Sequence, residues 1–121
     1  MTGLERIQAA IGAGIAALFD VTGLTCDNVS DIHICGAFGE FLNADNAREI
    51  GLLPNLPAAR CILRGNAALT GCEAAVLSPG ARNALSAIAS SARLVDLAGR
   101  NDFDNLFLNA LFLRPLAIPR A

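Results

Sequence analysis

Residues 33–39, His33-Ile34-Cys35-Gly36-Ala37-Phe38-Gly39, run a short apolar stretch straight into a turn bracketed by glycines. A polar segment with helix-capping residues follows. In open α/β sheets, ligands sit outside the carboxyl ends of strands. Glycine has no Cβ there, so a flat or charged ligand can approach the backbone. The same residues also make an ordinary tight turn, and spacing alone leaves both readings open. A second turn of this kind is Arg64-Gly65-Asn66-Ala67-Ala68, between an apolar stretch and a run of small residues. The N–H groups at that helix start offer an anion site, or Asn66 simply caps the helix. Two such turns in one small sheet would open on the same edge, and each strengthens the ligand reading of the other.

Other reactive residue types carry less. His33 is the only histidine and forms an H-x-C pair with Cys35. A metal would need further ligands, for instance Cys61, and the expectation is a histidine packed at the core or its boundary. Cys26, Cys35, Cys61 and Cys72 form no C-x-x-C pair. They read as reduced thiols of a cytoplasmic protein and as small core residues, with no metal or iron–sulfur cluster expected. No nucleophile, base and orienter can be assembled. All nine cationic residues are arginine, so a Walker-type loop with its lysine is absent.

The elements that must hold the two turns follow from periodicity. Thr2-Gly3-Leu4-Glu5 has the form of a capping box. Leu4, Ile7, Ile11, Ile15 and Leu18 then recur at helical spacing, and Gly23 suits the end of that helix. Gly12 and Gly14 inside it each cost about 1 kcal/mol against alanine, which implies close packing against a neighbour. Residues 32–35 and 61–63 read as short strands. Asn43 or Asp45 caps a helix ended by Gly51. Residues 67–77, with Gly71 in the middle, read as a helix so apolar that burial on most faces is expected. Ser78-Pro79 starts another helix, residues 94–97 read as a third strand, and Asn101 or Asp102 caps a last helix. Its stripe of Phe103, Leu106, Phe107, Ala110 and Leu111 reads as core or interface. The order αβαβααβα predicts an α/β layered domain with a small, largely parallel sheet and flanking helices.

With 121 residues the chain reads as one domain. It is 54% hydrophobic and 17% charged, with a mean hydropathy of +0.49, so part of its surface is expected to face another domain or subunit. The longest uncharged apolar run, residues 9–19, is shorter than the roughly 20 residues of a spanning helix. Net charge is −2 without a basic cluster, which argues against nucleic acid as a partner. A homo-oligomer is expected, with the Gly12 and Gly14 helix face as the contact.

Three segments together carry a resemblance: DIHICGAFGEFLNADNAREIGLLPNLP (31–57), LRGNAALTGCEAAVLS (63–78) and FDNLFLNALFLRP (103–115). Over residues 4–119 the chain resembles the C-terminal end of the reductive activators of corrinoid proteins, in the superfamily of actin, sugar kinases and heat-shock ATPases. The resemblance implies the second half of an actin-like, ribonuclease H-like ATPase domain. Full-length members couple ATP to reduction of a Co(II) corrinoid protein to Co(I), and carry an iron–sulfur cluster in an N-terminal ferredoxin-like domain. It further implies that Gly36, Ala37, Phe38 and Gly39 lie against the adenosine of the nucleotide, with Gly65, Asn66 and Gly71 closing the same cleft. Cys35 and Cys72 stand where the family usually has a small residue such as alanine. The acidic, metal-holding and phosphate-binding turns of the first half do not occur in this sequence, nor do the cluster cysteines. The expectation is therefore a C-terminal half-domain, residues 1–121, that binds nucleotide weakly or not at all and does not hydrolyse it alone. A non-enzymatic oligomerisation or docking module and a sugar-kinase-like fragment are the alternatives.

Overall fold

A computed structural model describes residues 3–118 and residue 120. Helix α1 (Gly3–Thr22) opens the chain and Gly23, at φ +66°, ends it. Thr2 of the expected capping box lies outside the described residues, as does Pro119. A single 3-10 turn at Cys26–Asn28 leads to β1 (Asp31–Cys35), followed by α2 (Phe38–Phe41) and α3 (Ala44–Glu49). Asn43 caps α3 by accepting from the Asn46 N–H at 3.0 Å, and Gly51 at φ +77° turns the chain away. Strand β2 (Arg60–Gly65), α4 (Ala67–Leu77), α5 (Pro79–Ser91) and α6 (Phe103–Ala110) complete the order.

The sheet has two strands, β1 and β2. Arg60 N–H donates to the Ser30 carbonyl where the strands begin, and Gly36 N–H donates to the Gly65 carbonyl where they end. The strands therefore run parallel, and the mixed α/β class expected from the sequence holds.

The chain forms two compact units, and both strands contribute to each. The first unit is Met1–Ile32, Asn43–Cys61 and Asp96–Ala121. Here α1 packs on α6, and its small residues Ala9, Gly12, Ala13 and Ala17 are buried together with Gln8. A Cβ at Gly12 would lie 3.4 Å from the Ala110 methyl. The face expected to meet a second copy is thus occupied by α6 at Gly12, while Gly14 faces Leu97. The larger aliphatics Leu4, Ile7, Ile11 and Leu18 are exposed instead. A core of Cys26, Leu56 and Ala59 gathers Phe19, Val29, Ile32 and Ile118.

The second unit is His33–Leu42 and Ile62–Val95. Asn66 caps α4 and Ser78 caps α5, each side chain accepting a backbone N–H three residues on. Helices α4 and α5 pack on one another, yet neither contains a buried residue. The expectation that α4 is buried on most faces is corrected: Val76 and Leu77 are 80% and 83% exposed. The third strand at residues 94–97 does not form. A strand needs a ladder partner, and alternation in sequence cannot supply one.

Candidate functional site

Strand β1 ends at Cys35, and Gly36 takes φ +77°, a conformation glycine adopts without a Cβ penalty. Its N–H donates to the Gly65 carbonyl at 2.7 Å, so the two sequence-predicted turns are brought together at the carboxyl ends of the paired strands. Gly65 itself is at φ +59°. Gly39 N–H donates to the Gly36 carbonyl at 2.9 Å and closes the turn that starts α2 at Phe38. Ala37 is exposed.

The glycines differ in what they make room for. A Cβ on Gly39 would strike the Ile34 carbonyl oxygen and come 2.8 Å from the Gly65 nitrogen. Gly39 is therefore required by the chain's own backbone. A Cβ on Gly36 or Gly71 would meet nothing within 4 Å. These two positions present bare backbone to open space. Asn66, in contrast, spends its side-chain oxygen on the Leu69 N–H at 3.0 Å, and its carbonyl accepts from the Thr70 N–H. The capping reading of Asn66 is the one its hydrogen bonds bear out.

One group near the turns, Glu40, was not singled out by sequence reasoning. Glu40 directly follows Gly39, and its Cγ and Oε1 lie 3.6 Å from where a Gly65 Cβ would be. Its position immediately after G-A-F-G was the only available signal. Arg64 Nε donates to His33 Nδ1 at 3.1 Å across the strands. His33 is exposed, which corrects the packed-histidine expectation: it alternates outward from buried Ile34. Cys35 and Cys72 are also exposed and Cys61 is half-buried, so only Cys26 behaves as the core residue expected of all four. All four are free thiols. Cys61 Sγ accepts from Arg48 Nη2 at 3.0 Å.

The perturbed groups belong to the first unit and serve its scaffold. Arg60 clasps Asp31 at 2.7 and 3.1 Å, and this hydrogen bonding raises its pKa. Arg100 holds both Asp102 and Asp20 at 2.7 Å, which raises its own pKa. The same bond from Arg100 keeps the Asp102 carboxyl below its usual range. Among the described residues no three or more His, Cys, Asp or Glu side chains gather as a metal site. No described helix is long and apolar enough to cross a membrane.

Comparison with known families decides what kind of domain carries these turns. The model of the C-terminal domain of RACo, the ASKHA domain, matches residues 1–119. The chain belongs to this family. The resemblance read from the G-A-F-G, I-G-L-L-P and G-N-A-A-L segments is thereby shown. A curated relative, the corrinoid activation enzyme RamQ of Eubacterium limosum, is 31% identical over 110 residues. That match covers 90% of this chain and 18% of the relative, so this ASKHA chain spans less than a fifth of that protein's length.

Proposed function

We propose that the chain is the C-terminal module of an ATP-dependent reductive activator of a corrinoid methyl-transfer protein. Gly36, Ala37, Phe38 and Gly39, with Gly65, Asn66 and Gly71, contribute the adenosine side of its nucleotide cleft. Membership of the ASKHA family and the relative's corrinoid-activating role support the first part. The second part rests on one observation: the Gly36 N–H to Gly65 carbonyl bond joins the two turns, while Gly36 leaves backbone open there.

On this reading the chain's own residues bind and orient rather than react. The joined turns form a floor, and the missing Cβ of Gly36 admits the nucleoside. Phosphate- and metal-binding groups come from other parts of the parent protein. An iron–sulfur cluster held elsewhere in the parent protein would supply the one electron that takes a corrinoid substrate from Co(II) to Co(I). ATP turnover drives that unfavourable step.

The test uses the whole protein that contains this domain, with a Co(II) corrinoid protein and a reductant. Formation of Co(I), followed by its absorption spectrum, is expected to require ATP. Co(I) formation at the same rate without nucleotide would contradict the reading. The isolated chain is expected to show no ATP turnover, and steady hydrolysis by the pure chain would contradict the division of labour.

A docking or self-association role is favoured by a separate observation. Leu69, Val76 and Leu77 of α4 and Ile88 of α5 are all more than half exposed. Such a surface is the kind that partners cover.

A further inference from the structure

We propose that Glu40 is a ribose-binding residue, which accepts hydrogen bonds from the vicinal hydroxyls of a nucleotide and selects ribonucleotides over 2′-deoxyribonucleotides. The proposal rests on the nucleotide reading of the two turns. Glu40 is fixed at its backbone, where its N–H donates to the Ala37 carbonyl at 3.2 Å. Its side chain reaches back over the second turn, with Cγ and Oε1 each 3.6 Å from the position of a Gly65 Cβ. The residue is exposed, and among the described residues its carboxylate has no ion pair or hydrogen bond. A carboxylate without a partner thus stands over the second turn, which is joined to the open backbone at Gly36.

Two chemical consequences follow. An ionised carboxylate only accepts hydrogen bonds, so the ligand group beside it must donate. It also repels anions, so a polyphosphate is disfavoured beside it and the neutral nucleoside end is favoured. This weighs against the anion reading of the Arg64-Gly65-Asn66 turn, whose Leu69 and Thr70 N–H groups are already taken by Asn66. A nucleoside offers two kinds of donor, the ribose hydroxyls and an amino group of the base. The flat base needs surface without Cβ atoms, which Gly36 provides. The hydroxyls are then left for Glu40, and the two oxygens of a carboxylate match two adjacent hydroxyls.

The experiment measures binding of ATP, 2′-deoxy-ATP and inosine triphosphate by calorimetry to the whole protein, with Glu40→Ala and Glu40→Gln variants. Losing one hydroxyl bonded to a charged acceptor is worth about tenfold in affinity. The wild type should prefer ATP over 2′-deoxy-ATP by that factor. Glu40→Ala should abolish the preference by weakening ATP, while Glu40→Gln, which keeps an acceptor, should retain part of it. Equal weakening of both nucleotides by Glu40→Ala would show a structural role and overturn the proposal. A wild type without ribose preference would overturn it too, as would loss of the preference for ATP over inosine triphosphate instead. If the wild type binds no nucleotide, the nucleotide reading of the turns fails and this proposal falls with it.

Discussion

Gly39 and Gly71 are glycines for opposite reasons, and the difference is measurable. A Cβ on Gly39 would collide with the Ile34 carbonyl and the Gly65 nitrogen. Backbone cannot yield as a flexible side chain can, so Gly39→Ala is expected to destabilise the fold by about 1–3 kcal/mol, the usual range for overpacking. Gly71 lies within α4 with open space where its Cβ would be. Gly71→Ala should stabilise by about 1 kcal/mol from helix propensity. Urea unfolding of both variants checks the pair, and opposite signs are expected. The two glycine turns were legible in the sequence, but not which glycine serves the chain and which stands beside open space. That depends on the Ile34 carbonyl, which only the folded register brings close. A second residue-scale expectation concerns acid. Arg100 lowers the folded-state pKa of Asp102 below its usual 3.8. The stabilisation is therefore present above pH 4 and is lost as the pH falls through the lowered value. Asp102→Asn should melt lower than wild type at pH 7, and the two should converge in strong acid. A gap that is constant with pH would contradict the ion pair.

At the scale of elements, caps explain what the sequence showed well. Asn43, Asn66 and Ser78 each accept the backbone N–H expected of an N-cap, and Pro79 stands at the start of α5. Short-range chemistry of this kind is written in neighbouring residues. Ser78→Ala should cost about 1 kcal/mol, with Ser78→Asp close to wild type. Equal melting of all three would contradict the cap. Long-range features were less legible. The strand expected at residues 94–97 has the right alternation, with Leu94 95% exposed beside half-buried Val95. Pairing depends on a partner distant in sequence, and none forms a ladder there. In α1 the visible stripe of large aliphatics suggested its packed face, yet the small face of Ala9, Gly12, Ala13 and Ala17 packs against α6. Small residues allow the close approach, so the two odd glycines were the better signal.

For the molecule as a whole, the composition set an expectation that the two units express differently. The first unit buries Leu52, Leu53 and Leu56 and gathers a small core around Cys26. In the second, α4 and α5 hold no buried residue. A stable interface covers roughly 800 Å² per partner, and these aliphatics are the surface available for it. The isolated chain is expected to self-associate at tens of micromolar. Val76→Lys with Leu77→Lys should shift sedimentation toward monomer, whereas a wild-type monomer with a cooperative melt would contradict the expectation. The central claim is that the joined glycine turns, with Gly71 of α4, take the nucleoside end of ATP. The most direct measurement is ATP affinity of the whole protein against its Gly71→Leu variant, with stability followed in parallel. Unchanged or higher stability is expected, since leucine is the better helix former, together with at least about tenfold weaker ATP binding, a loss of about 1.4 kcal/mol. An unchanged ATP affinity in a stably folded Gly71→Leu protein would contradict it.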